Sequence, residues 1–114
     1  MPKVFVVNEP NVSRAGRTYD VSPARRWGEM VFIFTRDMPL PYVDPVYAQR
    51  RADDVLESMT SDDYLVWAGG DPLGLVIASA IAYAKTGTFM SYLSWDKYKG
   101  EYHPIYLNEL PEPT

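Results

Sequence analysis

Two Asp-Pro dipeptides set the strongest limits on the fold. Asp44-Pro45 and Asp71-Pro72 each place a helix N-cap before a proline at the first helical position, where the missing N–H is harmless. Each also follows a short run of strand-forming residues. Met30-Val31-Phe32-Ile33-Phe34-Thr35 precedes the first, and Tyr64-Leu65-Val66-Trp67-Ala68 precedes the second. Strand–helix–strand repeated in this way predicts parallel pairing with right-handed crossovers.

After Asp44-Pro45, the residues Ala48, Ala52, Val55, Leu56 and Met59 fall on one helical face. Gln49, Arg50, Arg51, Asp53, Asp54 and Glu57 lie off that stripe, so this helix is expected to cover a sheet on one side and meet water on the other. The helix after Asp71-Pro72, running to about Lys85, is apolar nearly all round. Its small residues allow close backbone approach, and the sequence places it against the sheet and offers it as a contact for a second subunit. Lys3–Val7 reads as a first strand at an edge of the sheet. The Met30–Thr35 run has the continuous apolar character of a strand buried on both faces. Thr88–Trp95 and Glu101–Asn108 read as a closing antiparallel hairpin. The resulting expectation is one α/β domain over residues 1–114. It is a small Rossmann-like sandwich with a mixed, mostly parallel sheet, two helices and a C-terminal hairpin. Residues 109–114 are expected to fray.

Composition agrees with a single core and excludes several chemistries. Hydrophobic residues make up 46% of the 114-residue chain and charged residues 23%, which is a globular balance. There is no cysteine, so disulfides, thiolate metal sites and cysteine nucleophiles are excluded, and the single histidine, His103, excludes a multi-histidine metal site. No apolar run approaches the ~20 residues of a membrane span, and no signal-type segment opens the chain, so a cytoplasmic protein with no membrane partner is expected. The net charge of −4 argues against nucleic acid as a partner. That charge is uneven: residues 1–51 carry eight basic and five acidic side chains, net +3, and residues 52–114 carry three basic and ten acidic, net −7. Such polarity fits either internal pairing of solvated faces or a charged docking face.

Three places could carry function. The segment 8–29 reads as a long loop with one helical turn at Ser22-Pro23-Ala24-Arg25-Arg26-Trp27, where Ser22 serves as N-cap. Its Arg14, Arg17, Arg25, Arg26 and Trp27 suit an acidic partner or a phosphate. The hairpin concentrates Tyr92, Trp95, Tyr98, Tyr102 and Tyr106, either as cross-strand packing or as interface anchors; Tyr98 and Tyr102 join the arginines as candidate partner contacts. The third place is the turn Gly69-Gly70-Asp71 between a strand and a helix. It could offer amides to a nucleotide or another anion, with Arg36 close by, although Asp71 as N-cap competes for those amides. Asp37, Asp71 and Asp96 follow successive parallel strands and would hold Mg²⁺ only if they converge; cap and turn roles account for them without a metal, and no cofactor is called for. Nothing in the sequence marks His103 as catalytic.

The strings Asp63-Tyr64-Leu65-Val66-Trp67, Gly70-Asp71-Pro72, Tyr92-Leu93-Ser94-Trp95-Asp96-Lys97 and Tyr102-His103-Pro104-Ile105 resemble small uncharacterised proteins encoded by tailed bacteriophages. The opening Lys3-Val4-Phe5-Val6-Val7-Asn8-Glu9-Pro10 fits the same resemblance. It implies no activity and no site residue. It does imply a setting, the cytoplasm of an infected bacterium, and a short protein that binds rather than catalyses; the leading expectation is a non-enzymatic protein that docks on a host or viral protein through the arginine-bearing loop and the aromatic hairpin. The alternative is a small-ligand domain acting through Gly69-Gly70-Asp71.

Overall fold

The computed structural model describes residues 2–10 and 20–107. Five strands, β1 (Lys3–Asn8), β2 (Glu29–Phe34), β3 (Tyr64–Val66), β4 (Ser91–Asp96) and β5 (Glu101–Tyr106), form one sheet in the order β2-β1-β3-β4-β5. The first four run parallel and β5 returns antiparallel to β4. The two α-helices are α1 (Pro45–Val55) and α2 (Pro72–Thr86). The chain is a small α/β fold with a mixed sheet, as the sequence predicts.

Both Asp-Pro signals act as read. The Asp44 carboxylate accepts from the Tyr47 amide (3.1 Å) and the Asp71 carboxylate from the Leu73 amide (2.9 Å). The helix α2 ends at Gly87, whose left-handed φ of 75° and N–H to the Tyr83 carbonyl close the last turn.

The first strand is not at an edge. β1 lies between β2 and β3, and Val4, Phe5, Val6 and Val7 are buried on both faces. The Met30–Thr35 run forms the edge strand β2 instead, with Met30, Val31 and Phe32 only half-buried. The reason is a reversal of direction. The chain steps from β1 to β2 on one side, then crosses back over β1 to reach β3. Uniform crossover handedness then requires the two connections to lie on opposite faces.

That is how the layers divide. One face packs Phe5, Ile33 and Leu65 against Ala48, Ala52 and Leu56 of the α1 region and Ile77, Ala78 and Ala82 of α2. On the other face Val4, Val6, Val66 and Leu93 meet Ala24 and Trp27. These belong to a 3₁₀ helix, Ser22–Trp27, which stands where a doubly wound fold has an α-helix. The Rossmann-like likeness therefore stops at parallel strands with crossovers. Ser22 is not the cap of that short helix. Val21 holds the cap position, and the Asp20 carboxylate accepts from the Ser22 amide instead (2.9 Å).

The two ends of the sheet are held differently. At the amino end, buried Asp63 accepts from the Lys3 amide and the Thr60 amide, both at 2.8 Å. Gly28 sits so close to Pro2 that a Cβ there would lie 2.2 Å from the Pro2 carbonyl oxygen. At the margins, Arg51 of α1 donates from Nε to the Ile33 carbonyl of β2 (2.8 Å), and β5 carries Pro104, which has no backbone donor.

Candidate functional site

The carboxyl ends of the parallel strands gather the residues of the glycine turn. Gly69 and Gly70 adopt φ of 98° and 91°, which only glycine takes without strain. Asn8, the last residue of β1, fills the turn. Its Nδ2 donates to the carbonyls of Gly69 (3.1 Å) and Asp71 (3.3 Å). A Cβ on Gly70 would lie 3.0 Å from that amide, and one on Gly74 would lie 3.1 Å from the Asn8 Oδ1 and 3.3 Å from the Phe34 ring. The start of α2 is thus clamped onto β1 and β2.

Asp71 uses both oxygens: one caps the Leu73 amide and the other accepts from the Tyr42 amide (2.9 Å). An anion here would compete with a carboxylate already seated at the helix N-terminus. Arg36 pairs with Glu9, the residue after Asn8, at 2.7 Å. Among the described residues no three His, Asp or Glu side chains gather where they could hold a metal ion, so Asp37, Asp71 and Asp96 are not brought together. Asp37 is satisfied locally by the Thr35 hydroxyl, and Asp96 by the Tyr98 and Lys99 amides (2.9 and 3.1 Å) at the hairpin turn. Asn8 has no motif around it; its one signal is a polar residue closing an apolar strand.

On the opposite face of the sheet from α1 and α2, the 3₁₀ helix and the hairpin meet. Arg25 and Arg26 are exposed. The Arg26 guanidinium lies 5.6 Å from the Trp27 ring centroid, and its Nη1 lies 3.5 Å from the Glu101 carboxylate of β5. Trp27 is half-buried and packs edge-on to Tyr64 at 5.8 Å. Tyr98 stands at the hairpin tip, 89% exposed, with Lys97 Nζ 5.3 Å from its ring centroid. Tyr102 is different: it is 6% exposed and packs against Trp95 with centroids 4.9 Å apart, so it supports this surface from below. Arg14 and Arg17 lie outside the described residues, as does the 109–114 tail.

The hairpin also lines an open groove of about 550 Å³, formed by Ser94, Trp95, Asp96, Tyr98, His103 and Ile105 among others. The His103 Nε2 lies 3.3 Å from Glu101 Oε1 and 3.5 Å from Asp96 Oδ2, within ion-pair distance but without hydrogen-bond alignment.

The Asp96 carboxyl is held below its usual range, first by the Lys99 amide, with further contributions from the Tyr98 amide and the charge of His103. A depressed folded-state pKa stabilises the fold above the unfolded value near 3.8 and is lost as pH falls through the folded value. Asp20, held down by Ser22, and Asp37, held down by Thr35, act in the same direction. Thermal midpoints measured from pH 6 to pH 2 are therefore expected to fall below about pH 4. Asp96→Asn is expected to flatten part of that fall, and an unchanged profile would remove the hairpin carboxylate as a contributor.

The fold and its surfaces define a small α/β protein with an arginine-and-aromatic face on one side of the sheet and two helices on the other. The chain belongs to a bacteriophage family: the model of the family described as phage Pam3 gp32-like protein matches residues 2–109. No curated protein and no solved structure matches it. Among the described residues no helix is long and apolar enough to cross a membrane.

Proposed function

We propose that this phage protein is a non-enzymatic binding module that docks on a host or viral protein through Arg25, Arg26 and the exposed part of the hairpin. The observation that supports this is the contact between Arg26 and Glu101 at 3.5 Å. It joins two segments, 75 residues apart in sequence: the 3₁₀ helix with its exposed arginines and the hairpin that carries exposed Trp95 and the protruding Tyr98. Arginine and exposed aromatic side chains are the usual energetic anchors of protein interfaces. The fitting partner is an acidic surface with an apolar centre, which would be drawn in by charge and held by the rings. The setting would be the cytoplasm of the infected cell.

The test is affinity capture from phage-infected lysate by the wild-type chain and by a variant combining Arg25→Ala, Arg26→Ala and Tyr98→Ala. All three side chains are exposed, so the thermal midpoint should stay within a few degrees of wild type. The expected result is a retained protein that the variant loses by at least tenfold and that elutes with salt. Equal retention by both chains would overturn the reading.

A further inference from the structure

We infer that the outward face of α2 is the contact surface for a second copy of this chain, paired antiparallel about a two-fold axis. The positions Pro72, Val76, Ala80, Tyr83 and Ala84 follow one another along the exposed side of the helix, and Val76 is 62% exposed. Phe89 stacks on Tyr83 with ring centroids 5.1 Å apart and extends the patch past the helix C-terminus. At the other end, the bond from the Tyr42 amide to Asp71 sets exposed Tyr42 beside the first turn.

Charge identifies the occupant. A two-fold axis brings a surface against itself, so charge near the axis meets like charge. This stripe carries none. The one charged side chain of α2, Lys85, is drawn off it toward α1 by Asp53 (2.9 Å) and Glu57 (2.5 Å). A face built for a charged foreign partner would carry complementary charge, as the arginine face does. Antiparallel pairing also sets each helix N-terminus against its partner's C-terminus, which the dipoles favour.

Geometry and area are in proportion. A 15-residue helix is about 22 Å long, so Tyr83 and Phe89 of one copy would reach the Tyr42 end of the other. The patch offers on the order of 500 Å², which is near the largest apolar patch that monomers leave uncovered and of the same order as the ~800 Å² each partner gives to a standard interface. Ala80, near the middle of the stripe, falls close to the axis.

The pairing stands apart from the docking reading, because the arginine-and-hairpin surface lies across the sheet and stays uncovered in both copies. The test uses the full chain. Sedimentation equilibrium at 10–100 μM is expected to give twice the 13.0 kDa mass of one chain, and Val76→Glu with Ala80→Glu is expected to give one chain mass with an unchanged circular dichroism spectrum. The absence of native cysteine supplies a second measurement. Under mild oxidation Ala80→Cys is expected to form a covalent dimer at least tenfold faster than Ser22→Cys, which sits on the opposite face. A wild-type monomer at 100 μM would overturn the inference. So would a dimer that survives the double glutamate variant, or one that cross-links no faster through position 80 than through position 22.

Discussion

Phe5→Ala is expected to remove about 3–5 kcal/mol of folding stability, a large share of the ~5–15 kcal/mol that a domain of this kind holds. Phe5 is 1% exposed and sits in an interior strand, register-paired with Val31 and Leu65. Its ring belongs to the cluster shared with Ala52, Leu56, Ile77 and Ala78, so its loss opens a cavity under both helices at once. Backbone pairing on both sides prevents β1 from collapsing into that space. The edge strand provides the contrast. Phe32 is half-buried on β2, and Phe32→Ala should cost less than half as much. Urea unfolding of the two variants measures the difference, and equal losses would contradict the central place of β1 in the core.

Gly28→Ala carries the second large effect. The added carbon would lie 2.2 Å from the Pro2 carbonyl oxygen and 2.8 Å from its carbonyl carbon. Both are backbone atoms, so no rotamer change relieves the clash. Relief must separate the starts of β1 and β2, at the Lys3–Glu29 register and beside the Lys3–Asp63 bond. A loss of about 2–4 kcal/mol is expected. Gly100→Ala is the control. Gly100 has a φ of 66° and nothing within 4 Å of an added Cβ, so only the left-handed backbone preference is lost, about 1–2 kcal/mol. Thermal unfolding of the two variants should rank them in that order, and the reverse ranking would contradict the close approach of Gly28 to Pro2.

The sequence made the local signals legible and left the lateral order of the strands hidden. Asp44-Pro45 and Asp71-Pro72 state their role within a few residues, because a cap and its proline act on neighbouring amides. The closing hairpin is legible for the same reason, since its strands are joined by a short turn. Whether β1 or β2 lies inside the sheet depends on which way the chain turns after β1, and no local pattern encodes that. Both runs are apolar and of similar length, and the more continuous one proved to be the edge. At the glycine turn the sequence shows the conformational freedom of Gly69 and Gly70 and the capping tendency of Asp71. It cannot show that Asn8, 61 residues from Gly69, fills the turn. The aromatic residues of the hairpin divide by strand alternation, which becomes readable only once the register is known: Tyr102 faces inward and Tyr98 leaves the strand altogether. The apolar character of α2 was plain in the sequence; that one whole side of it stays uncovered depends on how the sheet seats it.

The guanidinium on the Ile33 carbonyl and the proline in β5 have a bearing on how the protein behaves when abundant. An unpaired strand edge can recruit further strands and seed fibrils. Here one margin has an acceptor already occupied by Arg51 and the other lacks a donor at Pro104. Copies crowded together are thereby discouraged from joining sheet to sheet. A fold whose two sheet margins are closed in this way can accumulate without polymerising strand to strand.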